Sequence, residues 1–449
     1  MTKPSIAAII LAAGHGTRMK SQTPKVMHEI GGRAMIAHVI DAANATDPAS
    51  ISVVIGDHAP QVGAFAQSLD PRVKTAVQAP PQGTAHAVAQ ALPLITDFDG
   101  VALILYADTP LVRPGTLNAL AEKIRDGASV AVLGFRPEDP EAYGRLKLDS
   151  DNSLAAIVEA KDATPEELEI SLCNSGVMAI DARFLQARLK DISNDNAKSE
   201  YYLTDIVALA RSDAKTCAVI EASPSEVMGV NSRVELAEAE AVFQSRMRIQ
   251  AMENGATLAD PSTVFFSYDT VLGKDVVIGQ HVVFGPGVVI ADGVNIKPFC
   301  HIEGAQIGPK TDIGPFARLR PGADVMTGAK VGNFVEIKKA SIGAGAKVSH
   351  LSYIGDAEIG AEANIGAGTI TCNYDGYRKH ITRIGKGAFI GSNSALVAPV
   401  TIEDGAYVGS GSVITKDVEA DALGVARARQ SVIKGWASRF RKSHETKKQ

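Results

Sequence analysis

Up to about Val230 the chain alternates short apolar, β-branched runs with stretches in which apolar residues return every three or four places. Ile6–Leu11, Ile51–Ile55, Val101–Tyr106 and Val130–Phe135 predict strands, and Ala34–Ala45, Thr84–Leu94 and Pro114–Asp126 predict helices. Strand and helix in alternation imply a mostly parallel sheet covered on both faces, with ligands bound beyond the carboxyl ends of its strands. From Ser232 to about Asn254 strong helix formers run without proline to Gly255, which predicts one long helix joining two halves.

After Leu258 the period changes to six. Aliphatic or aromatic residues recur at Leu272, Ile278, Phe284, Ile290, Ile296 and Ile302, then at Ile307, Ile313, Leu319, Val325, Val331 and Ile337. They continue at Ile342, Val348 and Ile354, at Ile359 and Ile365, and, after the one polar place Thr371, from Ile384 through Ile390, Leu396, Ile402, Val408 and Ile414. A hexapeptide period is that of a parallel β-helix with three repeats to a coil. The 24 marked places make about eight coils, a prism about 38 Å long at roughly 4.8 Å per coil. The interval from Thr371 to Ile384 is seven residues too long, so Cys372–His380 (CNYDGYRKH) must leave the prism as a loop.

Composition narrows the function classes. With 449 residues, 45% hydrophobic and a net charge of −5, disorder is excluded and a nucleic-acid partner is not expected. Cys173, Cys217, Cys300 and Cys372 are too scattered for a disulfide framework or a Cys-x-x-Cys zinc site and read as reduced thiols. The apolar run Ile6–Ala13, preceded only by Lys3, is too short for a signal peptide with its flanks, and no run reaches a membrane span. A cytoplasmic protein without membrane attachment, acting on small molecules, is expected.

The segment Leu11–Lys25 (LAAGHGTRMKSQTPK) follows the first strand directly. Gly14 and Gly16 let backbone N–H groups approach phosphate oxygens, and Arg18 and Lys25 add two cations, so the segment reads as a triphosphate cradle. It is neither a Walker A loop nor a Rossmann fingerprint, because Gly-Lys-Ser/Thr and a third glycine are both missing. Asp108 closes an apolar strand where a carboxylate projects into the crevice, and Mg²⁺ takes one or two such oxygens besides phosphate.

Gly-x-Gly-Thr-Arg-Met with its downstream Pro-Lys resembles the signature loop of sugar-1-phosphate nucleotidylyltransferases. Further pieces are similar in order: Gln78, Gln82–Thr84, Tyr106–Asp108, Tyr143–Gly144, Glu159, Asn174–Gly176 and Val230–Asn231. The resemblance implies that Arg18 and Lys25 act on the phosphates and that Asp108 and Asn231 hold Mg²⁺. It assigns Leu11, Ala12, Ala13, Gly14, Gln78, Gly83 and Thr84 to the uridine nucleotide, adds Tyr106 to the site, and gives Gly144, Glu159 and Asn174 to the sugar. Ala107 stands where such enzymes usually carry glycine.

In the second half Arg320 and Lys338 are one 18-residue coil apart, and Glu336 lies one shortened coil from Tyr353. Two cations stacked about 4.8 Å apart repel by roughly 3 kcal/mol at an effective dielectric near 20, so they fit an anion such as a sugar phosphate. His350, a coil from Glu336, reads as a carboxylate-supported imidazole able to take a proton from a sugar amine. ARLRPGA, VEIKKASIGAGAKVSHLSYIGD, NIGAGTITCNYDG and GSNSALVAPV then resemble the family of bifunctional N-acetylglucosamine-1-phosphate uridyltransferase/glucosamine-1-phosphate N-acetyltransferases. By that resemblance His350 is the general base and Arg320, Lys338, Tyr353 and Asn364 bind the amino-sugar phosphate. Ala367, Asn373, Tyr374, Ser392, Ser410 and Arg427 line the acetyl-CoA site, with Ser410 replacing the usual alanine.

The resemblance implies a Rossmann-like α/β nucleotidyltransferase domain at 1–233, a linker helix at 234–254 and a left-handed β-helix at 255–449 ending in a basic arm. It implies a homotrimer whose acetyltransfer sites are shared between prisms. Glucosamine-1-phosphate would be acetylated with acetyl-CoA, and N-acetylglucosamine-1-phosphate coupled to UTP for cell-envelope polysaccharide synthesis. The alternative is a single-activity nucleotidylyltransferase with a structural or regulatory β-helix.

Overall fold

The computed structural model describes residues 5–140 and 142–445, and the chain divides into two compact units between Arg246 and Met247. Lys3 and the terminal Lys447 and Lys448 lie outside the described residues.

In the first unit the apolar run of strand Ser5–Ala12 supplies both faces of a sheet. Ile6, Ala8 and Ile10 point into one core, and Ala7, Ile9 and Leu11 into the other. Each large aliphatic side chain so buried contributes about 1.5–3 kcal/mol. The sheet runs Cys217–Glu221, Val130–Phe135, Cys173–Asp181, Gly100–Tyr106, Ser5–Ala12, Ser50–Gly56, Val73–Gln78. All neighbours are parallel except Cys173–Asp181, which is antiparallel to both of its neighbours. Helices Met35–Asn44 and Pro114–Arg125 fall where the pattern predicts them. The helix predicted to reach Leu94 stops at Ala91 and tightens into a 3₁₀ turn, Leu92–Ile95, because Pro93 has no N–H to continue the α ladder.

The long helix is Arg233–Glu253, with Gly255 at φ 102° just beyond its end. It is more than a joining arm. Leu236, Ala239, Val242 and Phe243 pack with Ile30, Met35, Leu111 and Val230 in the first unit. Met247 and Ala251 belong to the hydrophobic core of the second. The division between compact units therefore falls inside the helix, not at its ends.

The second unit is a left-handed parallel β-helix. Its short strands pair in parallel with the coil before and after, 18 residues away at Val283↔His301 and 17 at Glu336↔Tyr353, where a repeat is one residue short. The repeated positions fill the prism interior, Leu272 alone among them being half-buried. Thr371, the polar exception, is accommodated because its hydroxyl accepts from Gly355 N–H (2.8 Å) and bonds to the Gly355 carbonyl (3.0 Å). Along one corner His281, Phe299, Phe316 and Phe334 stack ring on ring, with centroids 4.9–5.0 Å apart. Past Arg427 the arm is exposed, ending in helix Trp436–Glu445. No described helix is long and apolar enough to cross a membrane.

Candidate active sites

The first site forms where parallel strands end. The loop after Ser5–Ala12 turns at Gly16, whose φ is 61° and whose missing Cβ would lie 2.6 Å from Lys25 Cβ, so glycine lets the loop close on the Lys25 stem. The resulting cleft of about 260 Å³ is lined by Leu11, Ala12, Ala13, Gly14, Lys25, Gln78, Gly83, Thr84, Tyr106 and Asp108, all predicted. Gln78 donates to the Gly83 carbonyl (2.9 Å), and Thr84 Oγ1 accepts from Leu203 N–H (2.9 Å), which fixes the Gln-Gly-Thr turn.

Lys25 Nζ donates to Asp108 Oδ2 (2.5 Å) and Asn231 Oδ1 (2.9 Å). Two oxygens from distant parts of the chain thus converge on one positive charge. That donor set fits Mg²⁺, a hard cation needing few protein oxygens when phosphates and water complete its shell. Among the described residues no cluster of three or more His, Cys, Asp or Glu could hold a metal ion.

Tyr106 connects the cleft with Gly176 and Glu159. Its ring lies against Gly176, where a Cβ would approach to 2.8 Å. Burial, then the charges of Asp108 and Glu159, push its hydroxyl pKa upward. Asn174 N–H donates to the Gly144 carbonyl (2.8 Å). Glu159 accepts from Thr204 (3.2 Å), but burial outweighs that bond and raises its pKa. Arg18 does not line the cleft; it is exposed on the loop. His15, Val26, Pro81, Ala87 and Glu200 also line the cleft and were not singled out from the sequence. His15 was hidden as the variable place between two glycines, and Glu200 lies in a polar stretch without a pattern.

The second site is built by register. Asn333 pairs with His350, and the pairings Val348↔Ile365, Ile365↔Ile390 and Ile390↔Val408 continue the column through Ala367, Ser392 and Ser410. Arg427 donates to the Ser410 carbonyl at the far end (2.6 Å). His350 Nδ1 is 2.6 Å from Asn333 Oδ1. An amide oxygen only accepts, so Nδ1 carries a proton, and in the neutral ring Nε2 keeps its lone pair.

Here the expected support from Glu336 is corrected. Glu336 pairs with Tyr353, three residues past His350, and accepts instead from Arg320 (2.9 Å). The half-turn between His350 and Tyr353 puts the two on different strands, so Asn333 takes the supporting place.

Arg320 and Lys338 are joined by Lys379 from the protruding loop. Contact with Lys379, then its charge, then that of Arg320, lowers the Lys338 pKa. The Asp356 charge opposes that shift only in part, and three cations gathered in one place fit a phosphate dianion. Tyr353 lies over Gly355, and Asn364 follows in the next coil beside Lys347. In the loop Asn373 donates to Asp356, and Tyr374 donates to the Gly376 carbonyl. Asn333 and Lys379 went unread in the sequence, because both depend on which residues the coil register brings together.

Comparison with known proteins agrees with both halves. Residues 8–166 match the MobA-like NTP transferase domain family, and residues 269–304 and 381–416 match the bacterial transferase hexapeptide family of six repeats. The Bifunctional protein GlmU of Rhodospirillum rubrum is 59% identical, with 98% of each chain covered. That of Paramagnetospirillum magneticum is 55% identical over 100% of this chain and 99% of its own. That of Azorhizobium caulinodans is 53% identical, with 98% of each covered. Similarity at this level runs through the nucleotide cleft, the long helix and the hexapeptide prism alike, and the chain belongs to the GlmU family of bifunctional transferases.

Proposed function

We propose that the second unit transfers an acetyl group from acetyl-CoA to glucosamine-1-phosphate, and that the first unit couples the product to UTP, giving UDP-N-acetylglucosamine and pyrophosphate. The observation that carries the two-activity reading is the column that leads from His350, with its free Nε2, through Ala367, Ser392 and Ser410 to Arg427. Three coil steps separate His350 from Ser410, roughly 14 Å at the spacing of paired strands. An extended thioester chain laid along it brings its acetyl group to the imidazole and its phosphates to the arm.

In the first unit Leu11–Gly14, Gln78 and Gly83–Thr84 hold the uridine nucleotide, and Gly144, Glu159 and Asn174 hold the sugar. A phosphate oxygen of N-acetylglucosamine-1-phosphate attacks the α-phosphorus in line, and the bond to pyrophosphate breaks. Lys25, oriented by Asp108 and Asn231, and Arg18 stabilise the charge on the phosphates. Asp108 and Asn231 would hold Mg²⁺, which when bound supplies further neutralisation of the phosphates.

In the second unit Arg320, Lys338, Tyr353 and Asn364 hold the amino-sugar phosphate, and Asn373 and Tyr374 join the acetyl-CoA column. His350 Nε2 takes the proton from the sugar amine as the nitrogen attacks the thioester carbonyl, and CoA leaves as the thiol. A homotrimer in the cytoplasm completes the reading.

The test is thiol release from acetyl-CoA with glucosamine-1-phosphate as acceptor. Release that needs the acceptor and disappears in His350→Ala supports the assignment. Absence of release from a wild-type protein that still makes UDP-N-acetylglucosamine would make the prism structural.

A further inference from the structure

His15 stands between the two glycines of the phosphate loop and lines the nucleotide cleft beside Gly14 and Lys25. Its ring stacks on that of His58, with centroids 4.1 Å apart and planes 25° from parallel. His58 comes from the loop after Ser50–Gly56, the strand paired with Ser5–Ala12. The stack therefore bridges the carboxyl ends of two adjacent parallel strands, the edge at which ligands bind in such sheets.

The backbone is shaped around this pair. A Cβ on Gly56 would lie 2.3 Å from His58 Cε1 and 2.5 Å from Nδ1, so glycine is needed for the ring to lie there. His58 Nδ1 is 3.8 Å from Asp57 Oδ1, beyond hydrogen-bonding distance. Among the described residues no hydrogen bond engages His15. A ring held by stacking, with its nitrogens unengaged, at the mouth of a phosphate loop is placed to meet an anion.

We propose that His15 donates an N–H to the β- or γ-phosphate of the bound nucleoside triphosphate and to the pyrophosphate left after transfer. His58 is a positioning residue that holds the His15 ring at the cleft mouth. The proposal rests on the uridylyltransfer reading of the first unit. Imidazole donates an N–H whether neutral or protonated, and a bond to a phosphate oxygen is of the stronger, charge-assisted kind. Because substrate and product phosphates are both held, the contact lowers KM more than it raises kcat.

The experiment measures kcat and KM for UTP, and inhibition by pyrophosphate, in the full-length protein. It compares wild type with His15→Ala, His15→Asn, His58→Ala and the double alanine variant, with acetyl transfer and thermal unfolding as checks of folding. His15→Ala is expected to raise KM for UTP and the pyrophosphate inhibition constant roughly tenfold, with kcat within about twofold. His15→Asn, which keeps an N–H donor, recovers part of the loss. His58→Ala gives a smaller rise, and the double variant is no worse than His15→Ala alone. Unchanged KM and pyrophosphate inhibition in a folded His15→Ala protein would overturn the phosphate contact. An undiminished effect of His58→Ala in the His15→Ala background would overturn the positioning role. A wild type that formed no UDP-sugar would defeat the reading of the first unit instead.

Discussion

Lys25 holds Asp108 and Asn231 together, so the three residues form one unit of charge, and its loss should affect one reaction only. Asp108→Asn should lower uridylyl transfer by roughly two to three orders of magnitude, the size expected when a charge-stabilising group is removed from a phosphoryl site. Acetylation should stay within about twofold. Equal loss of both activities in a folded variant would contradict separate sites. In the second unit the residue that orients His350 is Asn333, at 2.6 Å. Asn333→Ala should therefore lower kcat for acetyl transfer about tenfold, as losing an orienting partner does, while Glu336→Gln should chiefly raise KM for the amino-sugar phosphate through Arg320. The reverse pattern would restore Glu336 as the partner of His350. Lys25, Asp108 and Asn231 were legible because each stands in a local motif, whereas Asn333 was not. Its role depends on which side chain one coil places against another, and a single-residue shift of register changes that.

At the scale of elements, the strands and the six-residue period were legible because burial on both faces of a sheet, or inside a prism, leaves continuous marks in the chain. Less legible were the ends. Pro93 broke a helix inside an apolar run, and the long helix proved to be part of two cores. The Cys372–His380 loop was predicted from counting alone, and its internal order comes from Asp375. That carboxylate accepts from the Arg378 N–H (2.6 Å), the His380 ring (2.8 Å) and the Tyr377 N–H (2.8 Å), which hold its pKa at about 2 against an ordinary 3.8. A depressed carboxylate pKa stabilises the loop above the ordinary value, and the contribution is lost as pH falls through the folded value. Acidification from pH 7 to 5 should leave Asp375 charged and its part in loop order intact. Asp375→Ala, by contrast, should free Lys379 from its place near Lys338 and lower acetyl transfer several-fold, with uridylyl transfer unchanged. Parallel assays of the two reactions check this, and equal acetyl transfer in the variant would show that the loop needs no such anchor.

For the whole molecule, the single chain leaves exposed what a soluble monomer rarely leaves in one stripe. Phe299, Phe316 and Phe334 stack along one prism corner, 48%, 45% and 54% exposed, and Leu351 continues the line beside His350 at 63%. These bulky residues also hold φ values between 51° and 63°, a conformation disfavoured for large side chains, so the corner is strained as well as apolar. Burial against neighbouring prisms in the proposed homotrimer would account for both features and would bring the subunit boundary next to His350. Sedimentation of the wild type should give a mass three times the 47.0 kDa of one chain. Phe316→Arg would place a charge in the stripe, where burying it unpaired is unfavourable by several kcal/mol. The variant should sediment as monomer or as a concentration-dependent mixture and lose most acetyl transfer. Its uridylyl transfer should persist, because every residue of that cleft comes from the first unit. A Phe316→Arg trimer with full acetyl transfer would mean that the aromatic corner faces solvent and that the prisms meet along another face.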